Sequence, residues 1–310
     1  MIQVNQLTKQ FAGAVVVKDL SFEVAAGAVL GFLGPNGAGK STTMKMLTGF
    51  LAPSSGSAKV NGFDIQSERQ AAQAEIGYLP EGAPCYEEMT VYRFLHFIAE
   101  IRGFRGGEIA YSIDRVLERV SLNAVLDQRI ETLSKGFKRR VGLAQALIHD
   151  PRVLILDEPT DGLDPNQKHQ VREMIRSLSD EKIVIISTHI LEEVSAVCSR
   201  AMIINKGEIV MDNTPEALAE LAPEHQSISL RVQNLDPQEV ANALSLLPES
   251  DRVVLEPSGS VTVFPKTIGS PLLGAVQSLV AAHQWRVDSM VQHRGQLDAV
   301  FRAVTEGGAR

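Results

Sequence analysis

The amino-acid sequence predicts an α/β protein built on a mainly parallel β-sheet, followed by a smaller α+β domain. Three short apolar runs occur at 28–33, 153–156 and 183–187, with the sequences AVLGFL, VLIL and IVIIS. Unbroken runs of this length are typical of strands that are buried on both faces of a parallel sheet. Polar segments with helical character separate the runs, and such strand–helix alternation indicates the α/β class.

Length and composition narrow the function classes. The chain has 310 residues, enough for about two domains. Hydrophobic residues make up 44% and charged residues 22%, which indicates a folded protein rather than a disordered one. The 30 basic and 37 acidic side chains give a net charge of −7, which argues against a surface that tracks nucleic acid.

Three further features of the sequence indicate where in the cell the protein works. No run of about 18 apolar residues is present, so we expect no membrane span in this sequence. The N-terminal residues lack a basic segment followed by an apolar one, so we expect no secretion signal. The two cysteines, Cys85 and Cys198, are too few for a disulfide framework and fit packed residues in a reducing cytoplasm.

The first elements follow from alternation and from a glycine-rich turn. Leu20, Phe22 and Val24 lie two residues apart, which predicts a strand with one buried face. The run at 28–33 stops at the turn, and the helix formers after it predict a helix that ends near Gly49.

Residues 88–150 differ in pattern and predict a helical insert between strands. Apolar residues recur at i, i+3, i+4 and i+7 in two places, 91–98 and 113–120. This spacing predicts two amphipathic helices. Further along the chain, RAMIIN and EIVMDN flank Lys206-Gly207, which predicts a β-hairpin.

The pattern restarts after about residue 225. The alternating segment SISLRV precedes a helix that Asp236 should cap, with Pro237 at its first position. Two strands joined by Ser258-Gly259 follow, and then a second helix, a last strand and a terminal helix. The order β-α-β-β-α-β predicts a small ferredoxin-like accessory domain over 226–310, after a main domain over 1–223.

The glycine-rich turn has the spacing of a phosphate-binding loop, G-x-x-x-x-G-K-S, between a buried strand and a helix. Its glycines let successive backbone N–H groups face one anion, and the helix directs its positive end at the same anion. Lys40 should reach the β- and γ-phosphates of ATP, and the Ser41 hydroxyl can ligate Mg²⁺. The alternative is an ordinary glycine-rich turn. The candidate nucleotide-binding residues here are Gly34, Pro35, Asn36, Gly37, Ala38, Gly39, Lys40, Ser41 and Thr42.

Two adjacent acids end the second buried run. Asp157 closes the run VLILD, as expected for a carboxylate that holds Mg²⁺. Glu158 follows it, and we expect this side chain to orient or deprotonate the attacking water. An Asp-Glu pair alone would more often lie in a solvated loop, but its combination with a phosphate loop favours the catalytic interpretation.

Five motifs in order resemble those of the ATP-binding subunits of ABC transporters. They are GPNGAGKST at 34–42, LSKGF at 133–137, VLILDEP at 153–159, GLDP at 162–165 and STH at 187–189. The resemblance extends over about residues 2–220. It implies a P-loop NTPase cassette with an antiparallel β subdomain, a helical subdomain at about 88–150 and ATP hydrolysis.

The resemblance also implies roles for individual residues. Two cassettes would pair head to tail, so that Ser134 and Gly136 of one cover the γ-phosphate held by the other. Asp164 would organise the seam of this homodimer, and His189 would contact the γ-phosphate as a second catalytic residue. Phe11 would stack on adenine. The residues leave two alternatives open: Ser134 as the N-cap of a helix that starts at Lys135, and Phe11 as a core residue.

Three positions depart from the family pattern. Glu81 stands where a Gln is usual; as a carboxylate it could still bind Mg²⁺, directly or through water, together with Ser41 and Asp157. Lys135 replaces the usual Gly of the signature, and Phe137 replaces the usual Gln. The runs LPE and LSKGF resemble the subfamily that serves ABC-2-type permeases, mostly exporters.

The leading hypothesis is a peripheral ATPase on the cytoplasmic face of the inner membrane, which uses ATP and Mg²⁺ to power a separate transmembrane permease. The alternative is a soluble ABC ATPase that acts on ribosomes or nucleic acid. Such relatives usually carry two cassettes or a long coiled coil, and the acidic charge argues against nucleic acid as a partner. In a third hypothesis the C-terminal domain senses a small ligand. The transported substrate is not encoded in these motifs.

Overall fold

A computed structural model describes residues 1–179 and 181–305. Contacts group the chain into two compact units, Met1–Pro215 and Glu216–Arg310. The sequence-based limits, 1–223 and 226–310, instead place the boundary after a short helix and stay a prediction.

Strands and helices alternate through the first unit in the predicted manner. Two short 3₁₀ segments, Asn123–Val125 and Ile130–Thr132, precede its fifth helix. The elements are β1 (Ile2–Phe11), β2 (Ala14–Val24), β3 (Val29–Leu33), α1 (Lys40–Leu47), β4 (Ser55–Val60), β5 (Phe63–Asp64), α2 (Arg69–Ala74), β6 (Ile76–Leu79), α3 (Val91–Ile101), α4 (Gly107–Val120), α5 (Lys135–Leu147), β7 (Val153–Asp157), α6 (Pro165–Ser179), β8 (Ile183–Thr188), α7 (Leu191–Val197), β9 (Arg200–Asn205) and β10 (Glu208–Asn213).

A six-stranded sheet in the order β10-β9-β3-β8-β7-β6 forms the centre of this unit. All its neighbours pair in parallel except β10, which joins β9 through the predicted hairpin. Lys206 and Gly207 both have positive φ there, 49° and 84°, as a two-residue turn with matching twist requires. The apolar runs form β3, β7 and β8, and every residue of these strands is buried. The predicted parallel sheet is confirmed.

The carboxyl ends of three central strands meet at one edge of this sheet. Leu33 at the end of β3 lies opposite Thr188 of β8, and Asp157 at the end of β7 lies opposite Ser187. Whatever follows these strands is therefore brought together, as is usual for sites in parallel α/β sheets.

A second sheet, β2-β1-β4-β5, is antiparallel throughout. Leu20, Phe22 and Val24 of β2 are buried as their alternation predicts. The rings of Phe22 and Phe32 lie 6.0 Å apart between centroids, so the two sheets share one hydrophobic cluster. This sheet is the antiparallel β subdomain that the sequence predicts.

Helices α3, α4 and α5 form the predicted insert and bury the expected apolar positions in one cluster with β6 and β7. Thr90 caps α3 by accepting a hydrogen bond from the backbone N of Arg93 at 3.3 Å. Helix α5 lies very close to β6. The approach is possible because residue 77 is a glycine: a β-carbon added there would overlap the carbonyl oxygen of Ala146.

The second unit contains α8 (Pro215–Ala219), β11 (Ile228–Val232), α9 (Pro237–Ser245), β12 (Ser250–Leu255), β13 (Val261–Pro265), α10 (Leu272–Ala282), β14 (Val287–Gln292) and α11 (Leu297–Thr305). Its sheet has the order β12-β13-β11-β14 with only antiparallel neighbours. Asp236 caps α9 by accepting from the backbone N of Gln238 at 2.9 Å. Within the described residues, no helix is both long enough and apolar enough to cross a membrane.

Candidate nucleotide-binding site

The glycine-rich turn between β3 and α1 has a backbone that side chains would disrupt. Gly37 and Gly39 have positive φ values of 80° and 105°, which glycine adopts at little cost. A β-carbon on Gly34 would lie 2.5 Å from the carbonyl oxygen of Ile204. No side chain caps the start of α1 at Gly39, so its first N–H groups have no side-chain acceptor and can face an anion.

Lys40 is the buried cation of this turn. Its side chain folds back so that Nζ donates to the carbonyl oxygens of Gly34 at 2.7 Å and Pro35 at 3.3 Å. Burial lowers the pKa of Lys40, and the negative charges of Glu158, Asp157 and Glu81 oppose that shift. The predicted lysine and the three predicted acids are therefore within electrostatic reach of one another.

The two acids after β7 are buried. Asp157 is 1% exposed and Glu158 is 8% exposed. Asp157 Oδ1 and Glu158 Oε2 have no hydrogen-bond partner among the described residues. Buried acceptors without partners are costly, so these oxygens fit a site completed by a cation or a water molecule. Carboxylate and hydroxyl oxygens, the latter from half-buried Ser41, are the donor set that Mg²⁺ prefers.

Glu158 is held on three sides. Its backbone N donates to the carbonyl oxygen of Ser187 at 2.8 Å, and its own carbonyl oxygen accepts from the backbone N of Asp161 at 3.2 Å. A carboxylate oxygen, Oε1, lies 3.0 Å from Nδ1 of His189, which directly follows β8. Nearly half of the His189 side chain is exposed. The structure thus places the two predicted catalytic side chains in contact.

The signature residues begin helix α5 at the predicted position. Ser134 caps the helix by accepting from the backbone N of Phe137 at 3.4 Å. Asp164 caps α6 by accepting from the backbone N of Gln167 at 2.8 Å. A β-carbon on Gly136 would lie 2.5 Å from the Gln167 side chain, so the two helix starts adjoin. Ser134 and Asp164 are exposed, as residues that face another molecule must be.

The remaining predicted residues differ in exposure. Phe11 ends β1 with 44% exposure, which removes the alternative of a core residue, and Lys9 Nζ lies 5.0 Å from its ring centroid. Glu81 is exposed in the turn after β6. Asn36 and Gly37 are exposed at the tip of the phosphate loop, whereas Ala38 is buried beneath it, and Thr42 is half-buried in the first turn of α1.

Sequence reasoning missed Arg139, a buried arginine on α5. It is 5% exposed, and its Nη2 donates to the carbonyl oxygen of Glu158. The only sequence signal was its place within the basic run Lys138-Arg139-Arg140, which gives no indication that one of the three is buried.

A cleft of about 920 Å³ beside the site was also missed. Residues from α1, α2, β6, α3 and α5 line it, and none of the described lining residues is Asp or Glu. Its cations are Lys45 and Arg102. His149, whose Nε2 lies 3.0 Å from the carbonyl oxygen of Ile76, also lines it. Burial lowers the pKa of His149 to about 4, so this ring is neutral at physiological pH.

Comparison with known proteins identifies the family. The ABC transporter family profile matches residues 17–161. The Nod factor export ATP-binding protein I of Paraburkholderia xenovorans is 34% identical over 306 residues, which cover 98% of this chain and 96% of that protein. The linearmycin resistance ATP-binding protein LnrL of Bacillus subtilis is 35% identical over 257 residues, 83% of each chain.

A solved structure supports the same assignment. The subunit cbiO1 from Clostridium perfringens, part of the ABC transporter complex cbiONQ, is 26% identical and superposes with a TM-score of 0.65. The match covers 80% of this chain and 95% of that one. With the phosphate loop, the acidic pair and His189 on one sheet edge, the chain belongs to the family of ABC transporter ATP-binding subunits and is an ATPase.

Proposed function

We propose that this ATPase works as a homodimer at the cytoplasmic face of the inner membrane, where it drives export through a separate transmembrane permease. The observation that carries the catalytic part is the buried pair Asp157 and Glu158, with two unpartnered oxygens among the described residues, beside the buried Lys40. Export is supported by the Nod factor export protein, which aligns with nearly the whole chain, including the second unit.

ATP binds through the backbone of the phosphate loop and through Lys40, whose Nζ exchanges its bonds to Gly34 and Pro35 for bonds to the β- and γ-phosphates. Phe11 offers an exposed ring for adenine. In the homodimer, the signature of one copy, in which Ser134 is exposed and Gly136 is buried, covers the γ-phosphate held by the other. The signature residues that do so are Ser134 and Gly136, with Asp164 at the adjoining helix start.

Glu158 accepts a proton from the attacking water, because its free Oε2 is buried beside the phosphate site while Oε1 contacts His189. His189 holds this carboxylate in place and is exposed enough to contact the γ-phosphate. Catalysis of phosphoryl transfer is mostly positioning and charge stabilisation.

Ser41 and Asp157, with Glu81, would hold Mg²⁺. When bound, the ion neutralises negative charge on the phosphates. Among the described residues, no group of three or more His, Cys, Asp or Glu side chains could hold a metal by itself. This fits an ion that shares its coordination shell with the nucleotide.

The permease would contact the acid-free cleft. Phe50 and Ile101 line this cleft with 73% and 64% of their surfaces exposed, and exposed apolar surface of this kind marks interaction sites. Lys45 and Arg102 make the cleft cationic, so it suits an apolar segment that carries an acidic side chain.

The test of catalysis is Glu158→Gln, which keeps size and hydrogen bonding but removes the base. Hydrolysis should fall roughly 10²–10⁴-fold, while ATP binding survives because the loop and Lys40 are unchanged. Gel filtration with Mg-ATP should then show a more stable dimer than for the wild type, since uncleaved ATP keeps the two signatures engaged.

The matched control is Glu81→Gln, which removes the other acid near Lys40 but restores the Gln that is usual at this position and keeps an oxygen that can ligate Mg²⁺, so hydrolysis should be retained. If Glu158→Gln hydrolyses ATP normally while Glu81→Gln is inactive, the two catalytic roles are reversed.

The proposed permease partner can be sought in the gene next to the one that encodes this chain. Co-expression with a polytopic membrane protein encoded there should move this ATPase into the membrane fraction and change its hydrolysis rate. If the ATPase stays out of the membrane fraction, or if no such neighbour exists, the alternative is favoured. That alternative is a soluble ATPase that acts on ribosomes or nucleic acid.

A further inference from the structure

We infer that Arg139 is a positioning residue for hydrolysis, which holds the backbone of Glu158 in the conformation that directs its carboxylate at the nucleotide. The inference rests on the proposed role of Glu158 as the base and deepens it, because it assigns the support of that base to a residue of the signature helix α5.

Arg139 is buried without the partner that a buried arginine normally has. None of the ion pairs found among the described residues includes it, and its Nη1 has no hydrogen-bond partner there. Its Nη2 instead donates to the backbone carbonyl oxygen of Glu158. Burial lowers the pKa of Arg139, and four acids oppose this shift: Asp161, Glu158, Asp157 and Glu81. A buried guanidinium costs free energy, and here it lies beside the catalytic acids.

The backbone that Arg139 contacts needs support. Glu158 has φ of 49°, a left-handed conformation that is unfavourable for a residue with a β-carbon. On one side its N–H is fixed to Ser187, and on the other its carbonyl oxygen accepts from Asp161 and from Arg139. Without Arg139, the turn bond from Asp161 would be the one hydrogen bond left to that carbonyl among the described residues. The Glu158 peptide could then rotate towards a relaxed conformation and move the carboxylate away from the attacking water.

Arg139 connects the signature at the start of α5 with the backbone of Glu158. It lies on α5, the helix that the exposed Ser134 caps and that would face the second copy in the proposed homodimer. A displacement of α5 on dimer closure would therefore reach the Glu158 peptide through one side chain. Among the described residues, Arg139 makes no hydrogen bond to the phosphate loop. Its loss should therefore lower the rate of hydrolysis and leave ATP binding unchanged.

The experiment compares Arg139→Met, which keeps the length of the stem but removes charge and donors, with Arg140→Met as a matched control. Arg140 follows it on α5, but its guanidinium donates to Val120 O and Gln170 Oε1. Arg139→Met in the full chain should lower kcat roughly 10–10²-fold, the effect of a small misplacement of a catalytic group. ATP affinity, measured by titration, should change less than about threefold, and Arg140→Met should leave both values near wild type.

A double-mutant cycle separates positioning from general destabilisation. If Arg139 acts through Glu158, adding Arg139→Met to Glu158→Gln should cause no further loss of residual hydrolysis. A further loss of the full single-mutant size would overturn the inference, as would an unchanged kcat or a loss of ATP affinity equal to the loss of kcat.

Arg139→Gln, which is neutral but still polar, serves if the Met variant does not fold, and the same outcomes are expected. Failure of both variants to fold would overturn the inference in favour of a structural role. Failure of the proposed function is seen separately: Glu158→Gln by itself would then hydrolyse ATP at the wild-type rate.

Discussion

At the scale of single residues, Lys40 is the buried cation of the phosphate loop. Its ammonium group donates hydrogen bonds to two loop carbonyls, those of Gly34 and Pro35. In the proposed function a phosphate displaces these bonds, because a charge-assisted hydrogen bond to an anion is stronger than one to a neutral carbonyl. The cation that we propose for phosphate binding thus also holds the loop through these two carbonyls.

Lys40→Ala should therefore weaken nucleotide binding sharply, by about 10–10²-fold for the loss of hydrogen bonds to a charged group. Equilibrium titration with a non-hydrolysable ATP analogue measures the affinity. Lys45→Ala is the control on the same helix, because Lys45 is exposed and lines the cleft; its affinity should stay at the wild-type value. An unchanged affinity in Lys40→Ala would remove Lys40 from the site.

The residues of the site differ in how far the sequence could predict them. Two motifs predicted Glu158 and His189 as catalytic residues, but their contact with each other follows from the pairing of β7 with β8, which the structure shows. The contact between Arg139 and the Glu158 carbonyl depends on how α5 packs against the turn after β7. No spacing rule connects residues whose contact depends on tertiary packing alone, so this part of the site needed the structure.

At the scale of elements, the close approach of α5 to β6 fixes the helical insert on the parallel sheet. It is possible only because position 77 has no side chain. The carbonyl oxygen of Ala146 belongs to the helix backbone and cannot rotate away from an added methyl group.

Gly77→Ala should therefore destabilise the protein by about 1–3 kcal/mol, the cost typical of overpacking. Urea denaturation compares it with Gly107→Ala, in which the added β-carbon meets nothing within 4 Å. The control should unfold within about 0.5 kcal/mol of wild type. Equal stability of the two variants would contradict the close approach of α5 to β6.

The same region shows which elements the sequence could predict. Helical spacing at 91–98 and 113–120 indicated the buried faces of α3 and α4, whose observed bounds are Val91–Ile101 and Gly107–Val120. Their ends depend on local capping and loop geometry, which hydrophobic spacing does not encode. Short elements such as α2 and β5 contain too few residues to display a period, and they bury little: Ala72 is the one buried residue of α2, and both residues of β5 are half-buried.

At the scale of the whole molecule, the predicted nucleotide-binding residues and the second unit occupy different parts of the sequence. Every predicted site residue, from Phe11 to His189, lies in the first compact unit. In the second unit, β12 is an edge strand on which Val254 and Leu255 are 39% and 46% exposed. An exposed apolar edge strand favours association with another chain.

A chain truncated at Pro223 should therefore bind ATP with the affinity of the full chain but dimerise less readily. Titration with an ATP analogue tests the first statement, and sedimentation at several protein concentrations tests the second. Dimerisation of the truncated chain as tight as that of the full chain would contradict a contribution of the second unit to association.

The buried oxygens of Asp157 and Glu158 also connect nucleotide supply with the abundance of the protein. If nucleotide and cation bind at these carboxylates as proposed, they bind the folded state, because only the folded chain brings Asp157 and Glu158 close to the buried Lys40. A ligand that binds only the folded state raises stability by about 2.7 kcal/mol at a hundred times its Kd. In a cell with little ATP, more of this protein would be unfolded and exposed to proteases, so energy depletion would reduce the number of subunits that consume ATP.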